Sequence, residues 1–190
     1  MTSNLSWTIA IGASGGEGLR NLCELVGEWD DLDASVLIVL HRPWAAVSHL
    51  REVLQRSSRM PVSIAGEDQS LRPGCVYIGE PNNHLRMISG THGSLTSDPE
   101  RLHGNRTVDL LFRSLAEFGA PHVIGIVLEG SLDDGSRGLE AIHHAEGCTM
   151  VITPSAGILG MPLNAVSYDG PTDVIGDIPA IARAVEVAVS

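Results

Sequence analysis

The sequence predicts an α/β fold, with a doubly wound, mainly parallel sheet, helices on both faces and a small β-hairpin. Residues 35–40 and 123–128 are unbroken apolar runs of strand length, which is typical of strands buried on both faces of a parallel sheet. Segments with apolar residues at helical spacing alternate with the strand candidates, as in doubly wound folds. The stretch 85–96 differs, because two short apolar segments around a turn predict the hairpin.

The other elements follow from the same periodicities. A short apolar strand before Gly12 leads into a glycine-rich turn, and helical spacing starts at Leu19. Further strands are predicted at residues 61–65, 74–79 and 149–152. Helices are predicted at residues 19–26, 45–56, 108–115, 137–145, 162–166 and 178–189.

Composition excludes several function classes. A chain of 190 residues with 43% hydrophobic content suits one domain with its own core. The formal net charge is −11, from 23 acidic and 12 basic residues, and every basic residue is arginine. Such a chain is not expected to bind nucleic acid or insert into an anionic membrane. Without lysine, Schiff-base chemistry and P-loop phosphate transfer are excluded.

Cysteine usage and the N-terminus predict a cytoplasmic protein. Cys23, Cys75 and Cys148 are odd in number and lie among apolar neighbours, so they are expected to be buried, reduced thiols. The first residues lack the pattern of a secretion signal, and no window approaches the length of a membrane span. No His, Cys, Asp and Glu cluster has the spacing of metal ligands, so neither a metal nor a cofactor is predicted.

The turn at residues 12–16 has three interpretations. Ser14 lies between glycines in a G-x-S-x-G pattern, which is typical of a nucleophile held on a strained elbow between strand and helix. Gly12, Gly16 and Gly18 also fit a dinucleotide loop, although the absence of lysine weakens that interpretation. The third interpretation is a plain strand-to-helix turn that needs glycine only for its shape.

Three polar residues follow predicted parallel strands at their carboxyl ends. These are Ser14, His41 and Asp134, and the carboxyl edge of an open parallel sheet is where active sites form. A serine nucleophile needs a base, and the base needs an acid that orients it, so these residue types fit a triad. Each also has a simpler interpretation: His41 as a core histidine, and Asp133 or Asp134 as the cap of the next helix.

Several segments, in the same order, resemble motifs of the chemotaxis protein-glutamate methylesterases of the CheB type. The resemblance extends from residue 9 to residue 187. The matching segments are residues 11–16 (strand, Gly-Ala-Ser, glycines), 41–43 (His-x-Pro), 71–78 (Leu-x-Pro-Gly-x-x-Tyr-Ile) followed by His84, 106–112 (the helix with Val-Asp-x-Leu-Phe), 130–135 (Gly-x-x-x-Asp-Gly) and 160–162 (Gly-Met-Pro).

The resemblance implies Ser14 as the nucleophile, His41 as the base and Asp134 as the acid. Ser14 is expected to face Nε2 of His41, and Asp134 to face Nδ1. Backbone amides at Gly15 and Ser131 are the expected oxyanion donors. The implied activity is hydrolysis of glutamate methyl esters, with deamidation of glutamine as a related reaction. The implied partner is a methylated chemoreceptor or a related signalling protein.

The chain also departs from the family pattern. The turn after Ser14 is about two residues shorter than usual, and residues 130–132 replace the usual Gly-Met-Gly before the aspartates. These departures motivate an alternative, a methylesterase-like binding or signalling module with weakened or lost catalysis. Residues 1–190 are expected to form a single catalytic domain, without the receiver domain that many family members carry.

Overall fold

Strands and helices alternate along the chain in the computed structural model, which describes residues 6–43, 48–98, 100, 102–103, 106–130, 133–155, 159–168 and 172–190. The strands are β1 (Trp7–Ser14), β2 (Ala34–His41), β3 (Val62–Ile64), β4 (Gln69–Ser70), β5 (Cys75–Ile78), β6 (Asn83–Ser89), β7 (His92–Ser97), β8 (Val123–Val127), β9 (Cys148–Ile152) and β10 (Val174–Gly176). The helices are α1 (Gly15–Glu28), α2 (Leu50–Ser57), α3 (Thr107–Phe118), α4 (Ser136–His144), α5 (Met161–Ser167) and α6 (Ile178–Val189).

The main sheet has seven strands in the order β10-β9-β8-β1-β2-β5-β3, and all of its pairings are parallel. The fold class is therefore confirmed. The predicted hairpin is β6 and β7, which pair antiparallel, but β4 adds a third strand to it. The sequence analysis did not predict β4 or β10, which have two and three residues.

The helices cover both faces of the main sheet, as predicted. Alternate strand residues such as Ile9 and Ile11 pack in one buried cluster with α1, α2 and α6. The intervening residues, such as Ala10, pack in a second cluster with α3, α4 and α5. Both clusters exclude water from their central side chains, so burial on each face stabilises the sheet.

The topological switch point of the sheet lies at β1. The chain passes from β1 to β2 on one side, and later adds β8 and β9 on the other side. Ligands of open parallel sheets bind beyond the carboxyl ends of the strands at such a switch point. Ser14 ends β1 and is the register partner of His41, which ends β2. The fold therefore brings these two residues side by side at the switch point.

Helix α2 is shorter than the predicted helix at 45–56. It starts at Leu50, while Ser48 and His49 are not helical and residues 45–47 lie outside the described part of the chain. The hydroxyl of Ser48 accepts a hydrogen bond from Nε of Arg42 at 3.1 Å. Ser48 also accepts from the backbone N–H of Leu50 at 3.5 Å, and a serine bonded in this way before a helix competes with helical pairing.

The three cysteines are free thiols, although each is half-buried where full burial was predicted. Burial, followed by the charge of Asp173, raises the pKa of Cys148 to about 11. At neutral pH this thiol is protonated, which makes it a poor nucleophile. Among the described residues, no helix is long and apolar enough to cross a membrane.

Helix α1 packs so closely on the loop after β8 that Gly18 cannot carry a side chain. A Cβ at Gly18 would lie 2.6 Å from the backbone oxygen of Glu129, whereas a Cβ at Gly16 would meet nothing within 4 Å. We expect Gly18→Ala to lower the free energy of unfolding by about 1–3 kcal/mol, because the helix must shift. Gly16→Ala should be neutral or slightly stabilising. Urea unfolding of both variants tests this, and equal midpoints would contradict it.

Candidate active site

Ser14 lies at the junction of β1 and α1. Its backbone is extended, with φ −144° and ψ 143°, and the positive φ of +72° falls on Gly15. Glycine, which adopts positive φ without penalty, therefore makes the turn next to the serine. The serine itself carries no backbone strain.

The loop after β8 approaches Ser14 closely. The backbone N–H of Ser14 donates to the carbonyl of Glu129 at 3.0 Å. A Cβ at Gly130 would lie only 2.6 Å from Cβ of Ser14, so this position needs glycine. Glu129 and Gly130 are thus held closely against the serine.

His41 is almost buried, with its side chain 12% exposed. Its Nε2 lies 3.0 Å from Oδ2 of Asp134 and 3.0 Å from Oγ1 of Thr107. Its Nδ1 is buried and has no hydrogen-bond partner among the residues that the structure describes. The structure thus brings His41 to Asp134, but through the opposite ring nitrogen from the one expected.

The exchange of ring nitrogens has a geometric reason. Thr107 is the first residue of α3, Asp134 bonds to the first turn of that helix, and Nε2 is the ring nitrogen farther from the main chain of β2. Nδ1 makes no hydrogen bond to Ser14 or to any other described residue. When Nε2–H donates to a carboxylate, the lone pair of the neutral ring is on Nδ1. Nδ1 is therefore the nitrogen available as a base.

Asp134 is fully buried and accepts from the first turn of α3. Its Oδ2 accepts from the backbone N–H of Val108 at 2.8 Å, and its Oδ1 from that of Asp109 at 2.7 Å. A carboxylate at a helix N-terminus is stabilised by free amides and by the helix dipole. Asp134 therefore does act as a cap, but of α3 rather than of the helix that follows it.

Asp133 lies apart from His41. Its side chain is 59% exposed and lies 3.4 Å from Nη1 of Arg106. The structure thus brings Asp134, rather than its neighbour, to the histidine.

Of the two predicted oxyanion donors, Gly15 lies in the described part of the chain. Gly15 is the first residue of α1, and the serine before it makes no side-chain cap. The first amides of a helix lack internal partners, so those of Gly15 and Gly16 are available to a developing negative charge. Ser131 lies outside the described residues.

A mainly apolar cavity opens beside the serine turn. Its volume is about 370 Å³, and Gly15, Gly16 and His41 line it together with side chains of α1 and α2. Among the described residues, no group of three or more His, Cys, Asp and Glu side chains is arranged to hold a metal ion. The absence of a metal or cofactor remains a prediction.

A family model described as CheB methylesterase matches residues 9–185 of this chain. The chain belongs to the CheB methylesterase family. The fold agrees, since the crystal structure of the CheB methylesterase catalytic domain from Thermotoga maritima superposes with a TM-score of 0.85. That likeness covers 97% of this chain and 99% of the other, at 23% sequence identity.

Curated relatives carry a CheB-type activity in their names. The protein-glutamate methylesterase/protein-glutamine glutaminase 1 of Cupriavidus pinatubonensis is 29% identical over 170 residues, covering 88% of this chain and 49% of its own length. The corresponding protein 3 of Pseudomonas savastanoi is 28% identical over 181 residues, covering 94% of this chain and 54% of its own. The chain therefore spans about half the length of these relatives.

Two residues of this CheB domain were not predicted as part of the site. Thr107 contacts His41, and Asp109 accepts from the backbone N–H groups of Gly135 at 3.0 Å and Gly138 at 2.8 Å. Both lie in the segment 106–112 that resembles a family motif. The only signal was the presence of polar residues at the start of an apolar helix, which does not show what they contact.

Folding alters the ionisation of the Asp109 carboxyl. Burial raises its pKa above the ordinary value of 3.8, the charge of Asp134 raises it further, and bonds from Gly138 and Gly135 act in the opposite direction. The folded state therefore holds this proton at a pH at which the unfolded chain has lost it. Stability contributed by the protonated form is lost as pH rises from 3.8 through the raised pKa.

We therefore expect the free energy of unfolding of Asp109→Asn, relative to that of the wild type, to be higher at pH 7 than at pH 4. The asparagine does not titrate, so it does not incur the cost of ionising a buried carboxyl. Urea unfolding of both proteins at the two pH values measures the difference. A difference that is constant, or that favours the wild type more at pH 7, would count against this assignment.

Proposed function

We propose that this chain is the single catalytic domain, over residues 1–190, of a cytoplasmic protein-glutamate methylesterase. Its substrate would be a glutamate methyl ester on a methylated chemoreceptor or a related signalling protein. One observation carries the proposal: in a CheB-family fold, Ser14 and His41 are register partners, and Asp134 lies 3.0 Å from His41. The names of the curated relatives support the same reaction.

The mechanism is acyl transfer through Ser14. Nδ1 of His41 takes the proton from the serine hydroxyl while Oγ attacks the ester carbonyl carbon. Asp134 stabilises the imidazolium through Nε2. The negative oxygen of the tetrahedral intermediate is bound by the amide of Gly15, with Ser131 as the second proposed donor, each worth about 3–4 kcal/mol.

Collapse of the intermediate breaks the bond between the carbonyl carbon and the methoxy oxygen. The methoxy group leaves as methanol with the proton from His41, and an acyl-serine remains. Water, deprotonated by the same histidine, then attacks the acyl carbon and releases the glutamate carboxylate and Ser14. With a glutamine amide the same steps release ammonia, which fits the glutaminase part of the relatives' names.

The cavity beside Gly15 and His41 suits the substrate side chain. Its lining is mainly apolar, so the methylene groups and the ester methyl would replace water there at little cost. The carbonyl would then lie near Gly15 and His41, next to Ser14 in the sequence and in the register of the sheet. The uncharged ester enters this mainly apolar space at less cost than a carboxylate, although Arg42 also lines the cavity.

Methanol release from a methylated chemoreceptor fragment tests the proposal. We expect time-dependent methanol production by the wild-type chain and none from an unmethylated fragment. If the folded chain released no methanol from the methylated fragment, the proposed esterase function would be overturned. The binding-module alternative, which the unpartnered Nδ1 of His41 favours, predicts that the folded chain binds the fragment without releasing methanol.

A further inference from the structure

Two buried aspartates cap each other's helices: Asp134 binds the start of α3, and Asp109 binds the start of α4. Asp134 lies just before α4, yet its carboxylate accepts from the backbone of Val108 and Asp109 in the first turn of α3. Asp109 lies in that turn, and its Oδ1 accepts from Gly135 and Gly138 at the start of α4. Asp109 is 5% exposed and Asp134 is 0% exposed.

Neither helix has a local cap that could replace this arrangement. The residues before the helices are Arg106 for α3 and Gly135 for α4, and neither makes a side-chain cap. Helices α3 and α4 are also packed tightly, since a Cβ at Gly138 would lie 2.5 Å from Cβ of Phe112. The four hydrogen bonds therefore satisfy amides that would otherwise be buried without partners.

The bonds to Asp109 hold the main chain next to the predicted catalytic acid. The peptide between Asp134 and Gly135 donates its N–H to Asp109, and Gly135 itself has a φ of +101°. Loss of that bond would let this peptide, and with it the main chain of Asp134, shift relative to α3 and His41. Asp109 makes no hydrogen bond to His41, so any effect on the base acts through Asp134.

We propose that Asp109 is a positioning residue, which holds the carboxylate of Asp134 against Nε2 of His41 by accepting from the backbone at the start of α4. The inference rests on the proposed esterase function for its kinetic consequence. Its geometric content does not, because the contact between His41 and Asp134 is measurable without turnover.

Three substitutions separate acceptor geometry from charge. Asp109→Asn keeps an oxygen acceptor at the same distance and loses the charge, Asp109→Glu keeps the charge and moves the acceptor by one methylene, and Asp109→Ala removes both. Asp133→Asn, at the exposed neighbouring acid, is the matched control. We expect kcat to fall about 10- to 100-fold in the alanine and glutamate variants with KM unchanged, and to stay within about threefold of wild type in the asparagine variant.

The imidazole Nε2–H resonance of His41 provides the second readout. We expect this signal to shift or broaden in the glutamate and alanine variants, and to remain in place in the asparagine variant and the control. Should the alanine variant not fold, the order of the asparagine and glutamate variants still decides. An unchanged resonance and kcat in Asp109→Glu, or losses in Asp109→Asn as large as those in Asp109→Glu, would overturn the proposal. A wild-type chain without esterase activity would refute the proposed function, while the resonance would still test the positioning role.

Discussion

Replacing Ser14 with alanine is expected to lower kcat for ester hydrolysis by at least about 1,000-fold. The substitution removes the only atom that forms the acyl bond, while the apolar cavity and the helix amides that bind the substrate stay in place. KM should therefore change much less than kcat. The extended backbone of Ser14 suits alanine equally well, so stability should not fall.

Methanol release and thermal unfolding measured on the same preparations test this expectation. Ser63→Ala is the matched control, because Ser63 is an exposed serine on the edge strand β3. Both variants should melt with the wild type, and only the Ser14 variant should lose turnover. Retention of wild-type kcat by a folded Ser14→Ala protein would exclude Ser14 as the nucleophile.

Asp134→Asn is expected to reduce both activity and stability. The asparagine has one acceptor oxygen where the aspartate has two, so its amide group must face either His41 or a backbone N–H of α3. Loss of the acceptor for Nε2–H should lower kcat by about 10³- to 10⁴-fold. Loss of a charge-assisted bond to the helix should lower the free energy of unfolding by about 2–3 kcal/mol.

Asp133→Asn is the matched control for Asp134→Asn. The two substitutions are chemically identical and adjacent, but Asp133 is exposed and lies beside Arg106. Urea unfolding and methanol release should detect large changes for the first and small changes for the second. Equal effects of the two substitutions would mean that the contact with His41 does not orient the base.

The sequence was sufficient to predict the architecture because the main strands are strongly apolar. Residues 35–40 and 123–128 form buried strands β2 and β8, and the predicted helix at 178–189 matches α6. The placement of Ser14 and His41 at one edge of the sheet also followed, since both were predicted to follow parallel strands at their carboxyl ends. Patterns of this kind are local, so a sequence carries them directly.

The details of the site were harder to predict because they depend on contacts between distant segments. Which nitrogen of His41 meets Asp134 is decided by the start of α3, 66 residues from His41 at Thr107. The mutual capping of Asp109 and Asp134 joins residues 25 positions apart in the sequence. No periodicity reports such pairs, because each aspartate alone resembles an ordinary helix cap.

The central claim, that His41 activates Ser14 as a nucleophile, is tested most directly by covalent labelling with a fluorophosphonate. The wild-type chain should gain one adduct, and peptide mass spectrometry should map it to Ser14. Labelling should be absent in Ser14→Ala and strongly slowed in folded His41→Ala. An unlabelled Ser14 in a chain that releases methanol, or equal labelling rates with and without His41, would contradict the account.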